Sequence, residues 1–171
     1  MSGVIPLRAF VILACCLSPV AAQAAIINLY ATLDGTQEVP ANASLGTGTA
    51  TILFDDVSNQ LDWNISYSGL TGAATAAHFH GPAAAGVNAG VQVNIGTLSG
   101  GLTSPMIGST TITSVQEADL LAGLWYINIH TAMYPGGEIR GQVQVVPLPA
   151  ASWLLASGLA GLIGWRQTRK S

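Results

Sequence analysis

The feature that most constrains the fold of this chain is a strict alternation of apolar and polar residues. In Leu61–Ser68 every odd position is apolar or aromatic and every even position is polar. A period of two predicts a β-strand with one buried and one solvated face. The other predicted strands are Ile26–Leu33, Thr47–Phe54, Ala74–His80, Val91–Ile95, Thr110–Thr113, Leu124–His130 and Glu138–Val145. Such short, regularly spaced strands predict an all-β protein, an antiparallel β-sandwich or barrel.

One short helix interrupts this pattern. Ser114 and Glu117 have the S-x-x-E spacing of a capping box, in which each side chain bonds a backbone amide of the first turn. Gly123 suits the end of a helix of about two turns. We expect Leu120 and Leu121 to pack on the core while the helix leads the chain across one end of the domain.

The N-terminus has the order of a secretory signal peptide over residues 1–24. Arg8 precedes the apolar run Ala9–Leu17, and Ala22 and Ala24 form an A-x-A site with cleavage expected after Ala24. A retained anchor is an alternative, but the run is much shorter than the roughly 20 residues needed to span a bilayer. A lipoprotein start at Cys15 is a second alternative.

The segment 25–146 is acidic and free of cysteine. Cys15 and Cys16, the chain's two cysteines, both precede it, so its stability must come from packing and not from disulfides. It contains all eight acidic residues but only one of the five basic residues, Arg140, which gives it a formal charge of −7 (one minus eight). Binding to nucleic acid requires a basic face, so the composition argues against a nucleic-acid partner.

Residues 147–171 form a distinct C-terminal module. Pro147-Leu148-Pro149 ends the last predicted strand, and the uncharged run Ala150–Trp165 follows. As a transmembrane helix this run would be about 24 Å long, against a hydrocarbon core of about 30 Å. The basic end, residues 166–170, is expected on the cytoplasmic side. The shortness favours a segment that is recognised in the membrane and then cut; a plain tail anchor is the alternative.

This module resembles the PEP-CTERM sorting signals of Gram-negative bacteria over Val146–Lys170. The residues that carry the resemblance are Pro147, Leu148, Pro149, Arg166, Arg169 and Lys170, with the glycine-interrupted apolar helix between them. The family usually has glutamate where this chain has Leu148. The resemblance implies processing by exosortase, a membrane protease, and delivery to the cell surface or extracellular matrix.

All three histidines of the chain lie in the central segment. His78 and His80 are two apart on a predicted strand and therefore leave it on the same face, opposite Ala77 and Phe79. His130 ends another predicted strand. If those strands are neighbours, three imidazoles meet, a ligand set that suits zinc or copper. The alternative is that they are structural polar residues that bond the backbone of a following loop.

The remaining charged residues favour structure over catalysis. Glu138 and Arg140 share one face of the last strand and are predicted to form an ion pair, or Arg140 pairs with another carboxylate. The sequence has no G-x-S-x-G motif, no phosphate-binding glycine loop and no pair of carboxylates that clearly faces a groove. We therefore expect that the protein is not an enzyme.

Four ordered motifs resemble the CHRD (chordin-type) domain. They are the segments 33–40, 67–72, 76–83 and 126–131 with 135–142, which include Ala76-Ala77-His78-Phe79-His80-Gly81-Pro82-Ala83. The resemblance implies an immunoglobulin-like β-barrel or sandwich, remotely similar to copper-zinc superoxide dismutases. Those enzymes hold two metals with six histidines and an aspartate, and this chain has only three histidines, so dismutase activity is not implied.

The sequence therefore predicts an exported surface or matrix protein with a central CHRD-like domain that has a binding or structural role. A metal-binding domain is the alternative function, with zinc or copper as the cofactor. The expected partners are signal peptidase, an exosortase-type protease and the membrane, and either extracellular polysaccharide or other surface proteins.

Overall fold

Nine strands form one antiparallel sheet in the computed structural model, which describes residues 25–147. They are β1 Ile26–Asp34, β2 Thr47–Asp55, β3 Gln60–Ser68, β4 Ala74–His80, β5 Val91–Asn94, β6 Met106–Thr111, β7 Tyr126–Thr131, β8 Ile139–Gln142 and β9 Gln144–Val145. Their order across the sheet is β5-β4-β7-β8-β1-β2-β3-β6, and β9 pairs with β1. The sheet curls into a half-barrel in which its two halves share a core, so the predicted all-β antiparallel class is confirmed.

The alternation in the sequence decides which face of the sheet is inside. The apolar members of each strand fill the core, and Ile52, Phe54 and Ile65 have no exposed surface. The halves meet where Trp63 on β3 packs edge-on against Phe79 on β4, with ring centroids 5.5 Å apart. Full burial of such a side chain stabilises the fold by about 1.5–3 kcal/mol, so this face holds the domain together without disulfides.

The limits of most predicted strands differ from the observed ones by at most two residues, and two predicted strands differ more. β6 begins at Met106 and not at Thr110, because the alternation is broken at Gly108, where the ring of Trp63 lies too close for a side chain. The last predicted strand is divided into β8 and β9. Val143, between them, turns into the core and donates its backbone N–H to the Trp125 carbonyl, 2.9 Å away.

Residues 25–147 contain two short α-helices where one was predicted, α1 Ile95–Leu98 and α2 Ser114–Leu121. The capping box of α2 was predicted one residue too late: Thr113 is the N-cap, and its partner is Gln116. Two overlapping boxes exist in the sequence, and the Gln116 side chain is also bonded to Gln92 on the neighbouring β5. Leu120 is fully buried, as predicted.

Several predicted features lie outside the described residues. They are the signal peptide with its Ala22 and Ala24 cleavage site, both cysteines, and the C-terminal module from Leu148 onwards, including Pro149, Arg166, Arg169 and Lys170. Pro147 is described, and it lies exposed just beyond β9. Within residues 25–147, no helix is both long enough and apolar enough to cross a bilayer.

Candidate metal-binding site

The three histidines come together on the outer face of the sheet because β4 and β7 are paired neighbours. In this pairing Ala76 lies opposite His130 and His78 lies opposite Asn128. The intervening residues Ala77 and Phe79 are fully buried, which leaves the imidazoles half-exposed on the other face. The structure therefore brings His78, His80 and His130 together on one face.

Backbone carbonyls of two loops orient two of the rings. The Nδ1 of His80 is 2.9 Å from the Ala89 carbonyl oxygen, and the Nδ1 of His130 is 2.9 Å from that of Pro135. A carbonyl can only accept, so each Nδ1 carries the proton and each Nε2 carries a lone pair. This is the bonding pattern of metal-ligating histidines, whose second nitrogen donates to a carbonyl or carboxylate. The predicted structural role and the metal role are therefore compatible.

The spacing of the nitrogens fits coordination better than a hydrogen bond. His78 Nδ1 and His130 Nε2 are 3.4 Å apart, which is long for a hydrogen bond between nitrogens. Two nitrogens on one tetrahedral zinc ion, each about 2.05 Å from the metal, lie about 3.3 Å from each other. One nitrogen from each of the three rings lies within 4.8 Å of the others.

The electrostatics favour the neutral form of His78 and His80. Burial, followed by repulsion from His130 and His80, lowers the pKa of His78 below its usual 6.5. Burial also lowers the pKa of His80, and the bond to Ala89 opposes this only in part. Neutral imidazole is the form that binds metals, so two of the ligands are available at neutral pH. His80 Nε2 is buried and has no hydrogen-bond partner in the part of the chain that is described.

Tyr126 and Arg140 hold His80 and its neighbouring loop in position. The Tyr126 ring stacks on His80, with centroids 4.9 Å apart and planes only 5° from parallel. The guanidinium carbon of Arg140 lies 3.4 Å from the centre of the same ring. Arg140 also donates to the Val87 carbonyl and to Asn88 Oδ1, which fastens the loop that carries Ala89. The loop carbonyl that orients His80 is thus fixed by β7 and β8.

Asn128 and Glu38 form a buried polar pair next to the site, which the sequence analysis did not predict. Asn128 Nδ2 donates to both carboxylate oxygens of Glu38, at 2.8 and 3.1 Å. Burial raises the pKa of Glu38 from 4.5 to about 7, although Arg140 and Asn128 act to lower it. A Cβ at Gly137 would lie 2.1 Å from Asn128 Nδ2, so the pair requires glycine there. In the sequence, Pro135-Gly136-Gly137 before Glu138 was the feature that could have indicated this close approach.

The predicted Glu138–Arg140 ion pair is not formed in residues 25–147. The Glu138 carboxylate accepts instead from Ser44, Thr71 and Thr131. Burial acts to raise the pKa of Glu138, but these hydrogen bonds outweigh it and lower the pKa. Glu138 precedes β8, where the backbone bends after Gly137, so its side chain does not share the strand face of Arg140. Arg140 has no carboxylate hydrogen-bond partner among these residues; Glu38 acts on it through charge alone.

Fold and site together define a small antiparallel β-domain that presents three converging histidines on its outer face. A family model, that of the CHRD domain, matches residues 29–143. The chain therefore belongs to the CHRD domain family, as the resemblance of its motifs indicated. No curated protein and no solved structure is detectably similar to the chain.

Proposed function

We propose that the CHRD domain of this protein binds one transition-metal ion, zinc or copper, through His78, His80 and His130. The observation that carries the proposal is the 3.4 Å separation of His78 Nδ1 and His130 Nε2, which matches the spacing of two ligands on one metal. Imidazole suits both metals, and three neutral ligands leave the charge of the ion uncompensated. The acidic domain around the site favours retention of a cation.

Metal loading of a matched pair of variants tests this proposal. We expect the parent to retain one equivalent of zinc or copper after dialysis, and the triple variant His78→Ala, His80→Ala, His130→Ala to retain almost none. The control replaces three exposed residues in one row of the outer face of β1, β2 and β3: Thr32→Ala, Thr49→Ala, Ser66→Ala. Metal content is measured by elemental analysis and folding by circular dichroism. A folded triple-histidine variant with parental metal content would refute the proposal.

We also propose that the protein is exported and acts at the cell surface or in the extracellular matrix. Support comes from the order of the N-terminal signal and from the PEP-CTERM-like order of the tail. In this proposal the tail tethers the precursor to the inner membrane until an exosortase-type protease acts. The domain then has a binding or structural role, not an enzymatic one, with polysaccharide or surface proteins as its partners.

Truncation tests the sorting proposal separately from metal binding. A chain without residues 147–171 keeps every strand of the domain, so it should fold normally and appear in the periplasm or medium. The full-length chain is the control, and before the protease acts it should be recovered in the membrane fraction. Equal membrane retention of the truncated chain would refute a role of the tail in tethering. After loading with metal and dialysis, both proteins should retain the same number of metal ions per chain.

A further inference from the structure

A buried acceptor without a partner lies beside the three histidines. Asn128 is only 4 % exposed, and its Oδ1 has no hydrogen-bond partner among residues 25–147. A buried amide oxygen left unpaired costs about 1–3 kcal/mol, so a native fold rarely leaves one without a donor. The position of this oxygen therefore indicates that a donor group binds there.

The strand pairing places the Asn128 side chain beside the histidines. Asn128 and His130 are two residues apart on β7 and therefore leave the strand on the same face. The residue paired with Asn128 on β4 is His78, which lies on that face as well. The Nδ2 of Asn128 is engaged by Glu38, so Oδ1 is the atom of the carboxamide that is left for a further group. The unpaired oxygen thus belongs to a side chain that adjoins His78 and His130.

We propose that the ion held by the histidines keeps a water molecule as an exchangeable fourth ligand, and that Asn128 Oδ1 accepts a hydrogen bond from this water. The proposal rests on the metal binding proposed above. Three protein ligands leave a position open on a tetrahedral zinc ion or a square-planar copper ion, and a metal-bound water is a strong donor. Such a water satisfies the buried oxygen, which no described protein group does.

Glu38 is the positioning residue for this arrangement. Both of its carboxylate oxygens accept from Asn128 Nδ2, so the amide cannot rotate and exchange its nitrogen with its oxygen. Gln at this position still offers an oxygen to Nδ2, whereas Ala offers none. Glu38→Gln is therefore the conservative variant and Glu38→Ala the disruptive one, and neither alters β7 itself.

Azide titration of the copper-loaded full-length chain tests the proposal, with the charge-transfer absorption of the azide–copper bond as the readout. Azide has no proton to donate, so it must displace the water and lose the hydrogen bond to Asn128. We expect the parent to bind one azide. We expect Asn128→Ala to bind azide about threefold to tenfold more tightly, the equivalent of one ordinary hydrogen bond, with copper affinity nearly unchanged. Glu38→Ala should shift in the same direction, and Glu38→Gln should behave as the parent.

Each outcome has a separate meaning. If the parent holds one copper and azide changes no band, the fourth position is closed and the proposal is wrong, while metal binding stands. If azide binds equally to the parent, Asn128→Ala and Glu38→Ala, Asn128 does not hold the water. If the parent holds no copper, the proposed metal function itself fails. Should Asn128→Ala not fold, the comparison of Glu38→Ala with Glu38→Gln decides.

Discussion

Replacement of Gly137 by alanine should destabilise the domain strongly. Gly137 has a φ of +136°, a conformation that L residues rarely adopt, and a Cβ there would lie 2.5 and 2.7 Å from the two carboxylate oxygens of Glu38. It would also lie 2.1 Å from Asn128 Nδ2. The added methyl group would therefore both strain the backbone and push apart the buried Glu38–Asn128 pair.

The size of the effect follows from these two parts. A residue held in such a backbone region costs about 1–3 kcal/mol. Leaving a buried hydrogen-bonding group without its partner costs about 1–3 kcal/mol more. We expect Gly137→Ala to lower the free energy of unfolding by about 4 kcal/mol, a large share of the 5–15 kcal/mol typical of a domain.

The neighbouring glycine provides the control. A Cβ at Gly136 meets no atom within 4 Å, and Gly136 is not among the residues with positive φ, so Gly136→Ala should change stability by less than about 0.5 kcal/mol. Urea unfolding followed by circular dichroism measures both variants. If the two midpoints agree and the slopes are equal, the close approach to Gly137 does not constrain this fold and the reasoning is refuted.

Three further predictions concern the surroundings of the site and the helix. The pKa of Glu38 is raised from 4.5 to about 7, so its protonation stabilises the fold fully below pH 4.5, and this stabilisation is lost as the pH rises through 7. In urea unfolding, the free energy of unfolding of the parent should fall by up to about 3 kcal/mol relative to Glu38→Gln over this range. Parallel pH profiles of the two proteins would contradict this. Thr113→Ala should lower the free energy of unfolding by about 1 kcal/mol in thermal or urea unfolding, and Ser114→Ala should lower it less, because Thr113 is the N-cap. The reverse order would show that Ser114 is the N-cap, as the sequence predicted. Arg140→Lys should speed amide exchange at Ala89, because lysine lacks the forked donors that bind Val87 and Asn88; unchanged exchange would show that the loop does not depend on Arg140.

The strands were predictable because burial of one face imposes a period of two on the sequence. Leu61–Ser68 shows this period without interruption, and β3 extends it by one residue only. The prediction was wrong about strand limits at Gly108, where the alternation is broken, and at Val143, where the alternation continues but the strand is interrupted. The overlapping capping boxes likewise could not be separated without the Gln116–Gln92 contact, which joins residues distant in sequence.

The sequence by itself determined the β class, the inward and outward faces of strands with an unbroken alternation such as β3, and the common face of His78 and His80, because these depend on local geometry. It could not determine that β4 lies beside β7, which brings His130 to the other two rings across about fifty residues of chain. Nor could it determine that Glu138 and Arg140 lie on different faces. Residues two apart share a face only within a continuous strand, and the backbone bends before β8 begins. Only the tertiary structure decided these points, because they depend on strand order and backbone path, which local patterns do not encode.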